Sequence, residues 1–500
     1  MSKKLSKILI FFFLIFGAWI LFLKVSRAEK VTEAVFPKVF LKPEEFCKDQ
    51  GLKTRKFSPA QTKELLILIN SLEDCTKIEL GPGKFLFDSS FTIARTKGLL
   101  LQGAGKSQTI FQFSNIGNGN GIDVSNVSSF TIRDMSILDS PKNGLEIRNS
   151  ENIIIHNILV SWSNTKGPEM SKNGAYGVYP VNVKNILLQK TESYYASDAG
   201  LYVGQCINAI VRENRAEKNV MGLEIENTIN ADVYDNVVIN NTGGFLAYDL
   251  NKNTIVSRNI KVHHNTIQDN NNPNFASAGI VKTVPSGVGM VLTSVRDVEI
   301  FENTFGNNNT ADIGIMNGLV SETPDFSKWP MNNWRVHDLY IHDNKFEGES
   351  GESVDNGNIN EKDRPLGVLV NLVISAVNQF QKTTEKTKIP VSNIVYDGVD
   401  GGFTILQMTT YLGNKPGNHN QICIQNNTKG KERPSLIDIN LPALLANAEE
   451  PTTESIAKAV STGDVKIYKE EAEDFGGNPT KGFSCQGFQA TGVPIQFPEI

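Results

Sequence analysis

The stretch Gly222-Leu223-Glu224-Ile225-Glu226-Asn227 decides the fold, because its opening phrase returns along the chain. The phrase is a glycine, an apolar residue, a variable residue and a second residue that is usually apolar. Clear copies begin at Gly121, Gly144, Gly200, Gly222 and Gly244, and uninterrupted copies lie 22 or 23 residues apart. A period of this size predicts a stacked solenoid, in which each repeat buries its apolar side against its neighbours.

A second apolar run follows each phrase, as in Ile153-Ile154-Ile155 and Val298-Glu299-Ile300. These runs are short and rich in β-branched residues, which favours strands over helices. The fixed leucine pattern and the helix of a leucine-rich repeat are missing. The sequence therefore predicts an all-β fold, a parallel β-helix with three short strands in each coil.

An asparagine often comes directly after the second run. The examples are Asn157, Asn214, Asn236, Asn265, Asn303 and Asn344. Asparagine tolerates left-handed backbone angles at a tight bend, and its side chain can stack on the asparagine of the next coil. We expect both properties at these positions.

Two early segments carry a resemblance to a known superfamily. Ile78-Glu79-Leu80-Gly81-Pro82-Gly83-Lys84-Phe85 and the following Leu101-Gln102-Gly103-Ala104-Gly105 resemble the first coils of right-handed parallel β-helix proteins with the pectin-lyase-like fold. The resemblance extends over roughly residues 76 to 347. It implies a right-handed, single-stranded solenoid.

A narrower resemblance comes from Asn173-Gly174-Ala175-Tyr176-Gly177-Val178-Tyr179-Pro180-Val181 and Ser197-Asp198-Ala199-Gly200-Leu201-Tyr202-Val203-Gly204-Gln205. With the stretch at Gly222, they resemble a family of exported bacterial β-helix proteins that often accompany a c-type cytochrome. That family has no assigned activity. The resemblance implies export and a c-type cytochrome as a partner.

The N-terminal segment, residues 1–28, is predicted to be a signal peptide or a membrane anchor. Lys3, Lys4 and Lys7 precede a run of sixteen residues from Ile8 to Leu23 without a charge. A run of this length suits the core of a signal peptide and is short for a membrane span. We predict an exported protein that is periplasmic, envelope-anchored or secreted.

The remaining chain divides into three predicted regions. Residues 29–75 form an N-terminal cap, in which Ser58-Pro59-Ala60-Gln61 opens a helix over 59–72 with a capping-box pattern. This helix covers the first coil and protects its open edge. The β-helix occupies 76–370, and 371–500 form an irregular C-terminal cover and tail. Insertions interrupt the coils at 164–172, 270–285, 321–333 and 348–365.

The five cysteines suit an oxidising compartment. Cys47 and Cys75 flank the first helix, and Cys423 and Cys485 flank the C-terminal tail, so we predict these two pairings. Cys206 lies within a core repeat, where a small buried hydrophobe is expected.

The charge balance gives little support to nucleic acid as a partner. The formal net charge is −5, there are six histidines, and no basic stripe is present. His263 and His264 are adjacent on a strand and are expected to face opposite ways, so no metal site is predicted there. No cofactor is identified.

The alternation of strand residues predicts two columns of outward-facing side chains, with equivalent residues about 4.8 Å apart on successive coils. The first column is Asp123, Glu146, Tyr179, Tyr202, Glu224 and Leu246; the second is Ser125, Arg148, Val181, Gly204, Glu226 and Tyr248. Exposed tyrosines beside acids suit a sugar chain, because rings stack on pyranose faces and acids bind hydroxyls. The substrate-binding candidates are therefore Asp123, Glu146, Arg148, Tyr179, Tyr202 and Tyr248. The alternative is a soluble sheet surface on which stacked tyrosines stabilise the strands.

Glu224, Glu226 and Asp198 are the candidate catalytic residues. Glu224 and Glu226 project from one face at about 6.5 to 7 Å, near the separation of glycosidase carboxylate pairs. Asp123 above Glu146 is a like-charged pair that raises one pKa or binds a cation, so a calcium ion is an alternative. The Asp-Pro-His motif of alginate epimerases and the calcium-binding aspartate cluster of pectate lyases are missing.

Two functions follow from these patterns. The first is an exported β-helix protein that binds a polysaccharide and modifies it by hydrolysis, elimination or epimerisation. The second is a non-catalytic periplasmic scaffold that serves a c-type cytochrome or a metal-handling system.

Overall fold

The chain forms coils of short strands, and each strand pairs in parallel with the equivalent strand one coil further on. In the computed structural model, the described residues are 39–114, 116–250, 253, 255–318, 335–348, 393–399, 421–440, 458, 461–462, 466–468 and 490–498. The strands stack into three sheets, one for each side of the coil. This arrangement confirms the predicted parallel β-helix.

The first sheet holds the runs that end before the asparagines. Its strands are Lys53–Phe57, Thr76–Leu80, Lys97–Gln102, Ser128–Leu138, Leu145–Ser161, Val178–Gln189, Ile207–Arg212, Ile229–Tyr234, Arg258–His263, Arg296–Phe301, His337–His342 and Ile422–Gln425.

The second sheet takes the far ends of Ser128–Leu138 and Leu145–Ser161. Its own strands are Gly83–Leu86, Thr109–Gln112, Glu192–Tyr194, Arg215–Glu217, Val237–Ile239, Thr266–Gln268, Thr304–Gly306 and Lys345–Glu347.

The third sheet holds the glycine phrases and includes the beginnings of Leu145–Ser161 and Val178–Gln189. Its own strands are Phe91–Ala94, Ile122–Ser125, Ala199–Gly204, Met221–Glu226, Gly243–Tyr248, Val288–Thr293, Ala311–Met316, Ile394–Tyr396 and Leu436–Asp438, with Lys466–Tyr468 antiparallel beside the last.

The inward residues of the third sheet have the predicted phase. Leu145, Ile147, Leu201, Val203, Leu223 and Ile225 are at most 1% exposed and belong to one continuous core that runs through the coils. Leu201 pairs with Leu223, and Leu223 pairs with Phe245, so like residues stack along the axis. Burial of these side chains is the main source of stability in the stack.

Buried asparagines form ladders along the turns, as predicted. Asn214, Asn236, Asn265, Asn303, Asn344 and Asn427 follow one another, and each Nδ2 donates to the Oδ1 of the next at 2.9 Å. The prediction of left-handed angles was wrong for these residues, because the bend is taken by the preceding residue. Asp235, for example, has φ of 54°, while Asn236 does not have a positive φ. Asn157 differs: it has the predicted left-handed φ, 54°, and takes the bend itself, and its Nδ2 donates to Asp134 Oδ1.

The N-terminal cap contains short helices at Pro43–Phe46 and Thr62–Asn70, and a 3₁₀ turn at Pro59–Gln61. The predicted capping box is present, since the Ser58 amide donates to Gln61 Oε1 at 3.1 Å. Leu65 and Ile69 pack against the core of the first coils, so the helix covers the apolar interior. Further 3₁₀ turns lie in the insertions at Gly167–Lys172 and Ile280–Thr283.

The cysteines of the cap form the predicted disulfide, Cys47–Cys75. Cys206 is free and fully buried, in agreement with a core role. Cys423 is buried and disulfide-bonded. Cys485 lies outside the described residues, so its pairing stays a prediction.

The coil stack continues beyond residue 370, where the sequence predicted it to end. Ile394–Tyr396 pairs in parallel with Ala311–Met316, and Ile422–Gln425 pairs in parallel with His337–His342. The glycine phrase is absent from Ile394–Tyr396 on the third sheet, although this strand keeps its parallel pairing.

The C-terminal segment 490–498 lies against the outside of the first sheet. The Ala490 amide donates to Glu299, and the Gly492 carbonyl accepts from Asn259 Nδ2 at 2.7 Å. Further along, Ile495 and Phe497 pack beside Ile154 and Leu187, on earlier coils. The segment therefore runs back along the stack.

The predicted signal peptide or anchor, residues 1–28, lies outside the described residues. Within the described part of the chain, none of the helices combines the length and apolar character needed to cross a membrane.

Candidate functional site

The outward columns of the third sheet have the predicted register. Asp123 pairs with Glu146, Glu146 with Tyr179, and Tyr202 with Glu224. In the second column, Glu226 lies between Gly204 and Tyr248 on the neighbouring strands. All nine predicted catalytic and substrate-binding residues therefore lie on or beside one face of the β-helix.

At the N-terminal end of this face, the two acids of the first column are held by an arginine. Arg148 Nη2 lies 3.0 Å from Asp123 Oδ1, and Arg148 Nη1 contacts Glu146 Oε1. Asn120 and Asn143 donate to the other oxygen of Glu146 at 2.8 and 2.7 Å. The hydrogen bond to Glu146 raises the pKa of Arg148 above its ordinary value. Arg148 thus supplies one positive charge to the two acids of the predicted like-charged pair.

Three tyrosines follow along the face and contact one another. The ring centroids of Tyr179 and Tyr202 are 4.4 Å apart, and Tyr176 lies 4.3 Å from Tyr179 and 5.2 Å from Tyr202. Tyr176 and Tyr179 are partly exposed, whereas Tyr202 is only 2% exposed. Tyr176 was not among the predicted site residues, although it stands three positions before Tyr179 in the same glycine-rich segment.

Glu226 is surrounded by hydrogen-bond donors. The hydroxyls of Tyr202 and Tyr248 donate to its Oε2 at 2.7 and 2.8 Å, and Asn253 Nδ2 donates to its Oε1. Hydrogen bonds on both oxygens hold this carboxyl group in one orientation. Asn253, missed by the sequence analysis because it lies in a loop outside the repeat, completes this arrangement.

Glu224 and Asp198 differ from Glu226, because within the described part of the chain each is a buried carboxyl group with one oxygen that accepts no hydrogen bond. Among the described residues, Glu224 Oε1 and Asp198 Oδ1 have no hydrogen-bond partner. Burial, together with the nearby Asp198 and Glu226, holds the pKa of Glu224 well above its ordinary range. Burial and Glu226 raise the pKa of Asp198 to about 7, against the opposing effect of a hydrogen bond with Tyr176.

The central part of this face is covered, which corrects the expectation of an exposed platform. Tyr202, Glu224 and Tyr248 are at most 2% exposed. Leu250, Phe275, Ala276, Val281 and Val284 pack with Tyr202 and Tyr248 in a second apolar cluster outside the coil. Four of these five residues come from the insertion 270–285. A Cβ on Gly279, in the same insertion, would lie 2.7 Å from Asp198 Oδ2.

Gly204 explains how Tyr202 reaches the next coil. A Cβ built on Gly204 would lie 1.9 Å from the Tyr202 hydroxyl oxygen, so the tyrosine side chain crosses directly over this glycine. The outward column loses its side chain at Gly204, and the space is filled by the Tyr202 side chain on its way to Glu226. The glycine is therefore part of the site.

The histidine prediction was also wrong in one respect. His263 and His264 do not face opposite ways, because their Nδ1 atoms lie 2.7 Å apart. His264 has φ of 55°, and this left-handed angle turns its ring toward its neighbour. Simple strand alternation does not apply across such a bend.

Within the described ranges, no group of three or more His, Cys, Asp or Glu side chains is arranged to hold a metal ion. The calcium ion considered from the sequence stays a prediction. At the pair that suggested it, Asp123 and Glu146, the compensating positive charge comes from Arg148.

Comparison with known proteins agrees with the fold. The family described as "Right handed beta helix region" matches residues 97–260. No curated protein matches this sequence. The fold is thus a right-handed parallel β-helix, as the resemblance to the pectin-lyase-like fold implied.

Two solved structures illustrate the similarity. The A-module of the mannuronan C-5 epimerase AlgE6 from Azotobacter vinelandii is 15% identical, with a TM-score of 0.39, over 58% of this chain and 83% of that one. A hyperthermoactive exopolygalacturonase from Thermotoga maritima is 12% identical, with a TM-score of 0.42, over 65% and 91%. At this level the similarity concerns the fold alone.

Proposed function

We propose that this protein binds a polysaccharide along the third sheet and modifies it by acid–base chemistry at Asp198 and Glu226. The observation that carries the proposal is the contrast between these two carboxyl groups. Asp198 has a pKa of about 7 and a free oxygen, whereas Glu226 accepts hydrogen bonds on both oxygens. A proton donor beside a carboxylate is what glycosidic-bond cleavage and proton transfer at a uronic acid both require.

The arrangement along the face supports an extended ligand. Half-buried Asp123, Glu146 and Arg148 lead to the partly exposed Tyr179, and the acids follow beneath the insertion 270–285. Polar side chains at one end can bind sugar hydroxyls or carboxylates, and Tyr179 offers an aromatic surface. The polymer would run parallel to the axis of the stack, with the reacting unit next to Asp198.

The three acids differ in exposure, and we assign their roles from this difference. Asp198 and Glu226 are 8% and 6% exposed, so both lie at the edge of the cover, whereas Glu224 is 0% exposed. The Tyr248 hydroxyl oxygen lies 3.1 Å from Glu224 Oε2 and 2.8 Å from Glu226 Oε2, so its single hydrogen is shared between the two carboxyl groups. We assign Glu224 a positioning role, because it acts on Glu226 through Tyr248. Access to the acids requires a shift of the insertion that carries Gly279.

Export is part of the same proposal. The Cys47–Cys75 disulfide supports a location in the periplasm, at the envelope or outside the cell, because such bonds persist in oxidising compartments. Service to a c-type cytochrome or a metal-handling system remains the alternative function. It rests on the resemblance found in the sequence.

The test is a panel of acidic and neutral polysaccharides, including alginate and polygalacturonate, assayed for binding and for products. New reducing ends indicate hydrolysis, an unsaturated uronate indicates elimination, and a changed ratio of C5 epimers indicates epimerisation. Asp198→Asn should lower turnover by a factor of about 100 or more while the ligand still binds, since general acids contribute about that much. Tyr179→Ala should weaken binding by roughly 1 kcal/mol.

Glu151→Gln serves as the control, because Glu151 is an exposed acid on the first sheet. Unchanged turnover in Asp198→Asn would remove Asp198 from the chemistry. If no polysaccharide in the panel binds, the proposal fails and the scaffold function is preferred.

A further inference from the structure

Two adjacent histidines, His263 and His264, converge at the end of the strand Arg258–His263, on the first sheet and away from the acids described above. Their Nδ1 atoms are 2.7 Å apart, and the two rings are nearly perpendicular, at 81°. This contact brings together the two ring nitrogens that lie nearest the backbone.

The other nitrogen of each ring is held by a carboxylate. His263 Nε2 lies 2.8 Å from Asp232 Oδ1, and His264 Nε2 lies 3.0 Å from Glu302 Oε2. A carboxylate accepts hydrogen bonds, so in the neutral rings each Nε2 carries the hydrogen and each Nδ1 carries a lone pair. At 2.7 Å the two Nδ1 atoms are within hydrogen-bond distance, so a hydrogen carried by one of them can join the pair, and a metal ion that both lone pairs face can take the place of this hydrogen.

Carboxylates that fix the tautomer of a histidine are the usual surroundings of a metal-binding imidazole. Here both histidines have one. The His263 ring is further fixed by stacking between Tyr234 and Phe301, at centroid distances of 5.0 and 4.8 Å. The two Nδ1 atoms are therefore held in place before any ion arrives.

The separation of the two nitrogens indicates the kind of ion. Ligands at right angles with metal–nitrogen bonds of about 2.0 Å stand roughly 2.8 Å apart, whereas tetrahedral ligands stand roughly 3.3 Å apart. The observed 2.7 Å fits the right-angled case. Square-planar or tetragonal coordination by nitrogen and oxygen is typical of Cu²⁺ and Ni²⁺.

We propose that His263 and His264 form a binding site for Cu²⁺ or Ni²⁺, with both Nδ1 atoms as adjacent ligands of a square arrangement. Asp232 and Glu302 are positioning residues that hold the Nε2 hydrogens. The His264 side chain is 51% exposed, so an ion has access from solvent and water can supply the remaining ligands. Asp232 and Glu302 place negative charge beside the two rings, while the Lys261 ammonium lies over the Phe301 ring.

Titration of the chelator-treated protein with Cu²⁺ against a weak competing chelator tests the site. One equivalent should bind, and its electron paramagnetic resonance spectrum should show two imidazole nitrogens in a tetragonal field. His263→Phe preserves the ring stack, and His264→Asn preserves a residue that tolerates the left-handed angle. Each should remove one nitrogen from the spectrum and weaken binding at least about 10-fold, and Asp232→Asn should weaken it by about 10-fold with both nitrogens retained.

His342→Phe is the matched control, because His342 stacks on the same Phe301 and contacts Glu299 and Asp343 without a neighbouring histidine ring. It should leave affinity and spectrum unchanged. The proposal is overturned if the wild-type protein binds no stoichiometric Cu²⁺ or Ni²⁺, or if the double variant His263→Phe/His264→Asn binds as tightly as wild type.

Discussion

Tyr202 and Glu226, which belong to successive coils, are joined by a hydrogen bond of 2.7 Å from the tyrosine hydroxyl to the glutamate Oε2. The tyrosine pairs in register with Glu224, so it reaches its partner diagonally, over Gly204. Tyr248 reaches the same oxygen from the following coil at 2.8 Å. One carboxylate thus connects three coils of the third sheet outside the apolar core.

Gly204→Ala should break this connection. The new Cβ would fall 1.9 Å from the Tyr202 hydroxyl oxygen, so the tyrosine has to leave its position. We expect a loss of about 1–3 kcal/mol in the free energy of unfolding, the usual cost of overpacking, measured by urea denaturation. Gly314→Ala on the same sheet is the control, since its Cβ would meet only the Met290 carbonyl oxygen at 3.8 Å. Equal effects of the two variants would contradict this account of Gly204.

Asp198 should make stability depend on pH. Its pKa is about 7 in the folded protein, against about 3.9 in an unfolded chain, so the folded state holds an extra proton between these values. The stability that Asp198 contributes is therefore fully present below about pH 4 and is lost as the pH rises through about 7. Asp249, Asp312 and Asp397, with pKa values of about 6, contribute to the lower part of this range.

Between about pH 6 and 7, Asp198 and Glu224 should both contribute to that slope, because both hold an extra proton in the folded protein. Asp198→Asn cannot ionise and should flatten the slope there by up to about 1.4 kcal/mol per pH unit, measured by urea unfolding at successive pH values. Asp249→Asn is the comparison, because its effect should fall mostly below pH 6. An unchanged slope above pH 6 in Asp198→Asn would show that the carboxyl is ionised when folded.

Leu223→Asp tests the strand phase. Leu223 is 1% exposed inside the coil, so the substitution buries a charge without a partner and should cost at least about 4 kcal/mol of unfolding free energy. Leu86→Asp is the control, because Leu86 is a strand residue that is 57% exposed, and it should change stability by less than about 1 kcal/mol. Thermal and urea unfolding of both variants make the comparison.

The sequence was sufficient for the coil because its information is periodic. Each glycine phrase alternates between inward and outward residues, so Leu201 and Leu223 were placed inside and Tyr202 and Glu224 outside. The asparagine ladder followed from a residue type that recurs at the same point of the coil. Parallel pairing then fixed which residues meet on neighbouring strands.

The insertion that covers Asp198, Glu224 and Glu226 has no sequence repeat from which its position could be predicted. The insertion 270–285 was recognised from the sequence as an interruption of the coils, and the prediction stopped there. Its apolar Phe275, Val281 and Val284 are a signal that such a loop packs onto the surface beneath it, because exposed apolar loops are unfavourable. The convergence of His263 and His264 depended on a single backbone angle, which residue type alone did not reveal.

The contact between Phe40 and Phe497 has a consequence for how the protein unfolds. Their ring centroids are 5.1 Å apart, although almost the whole chain separates them in sequence. A solenoid whose coils touch only their neighbours can fray from either end. Here the C-terminal segment runs along several coils and contacts the N-terminal residues. This contact closes almost the whole chain into a loop. The entropic cost of closing a loop grows only slowly with its length. A coil at either end can unfold only after the contact between Phe40 and Phe497 is broken, so the terminal coils and this contact should open together.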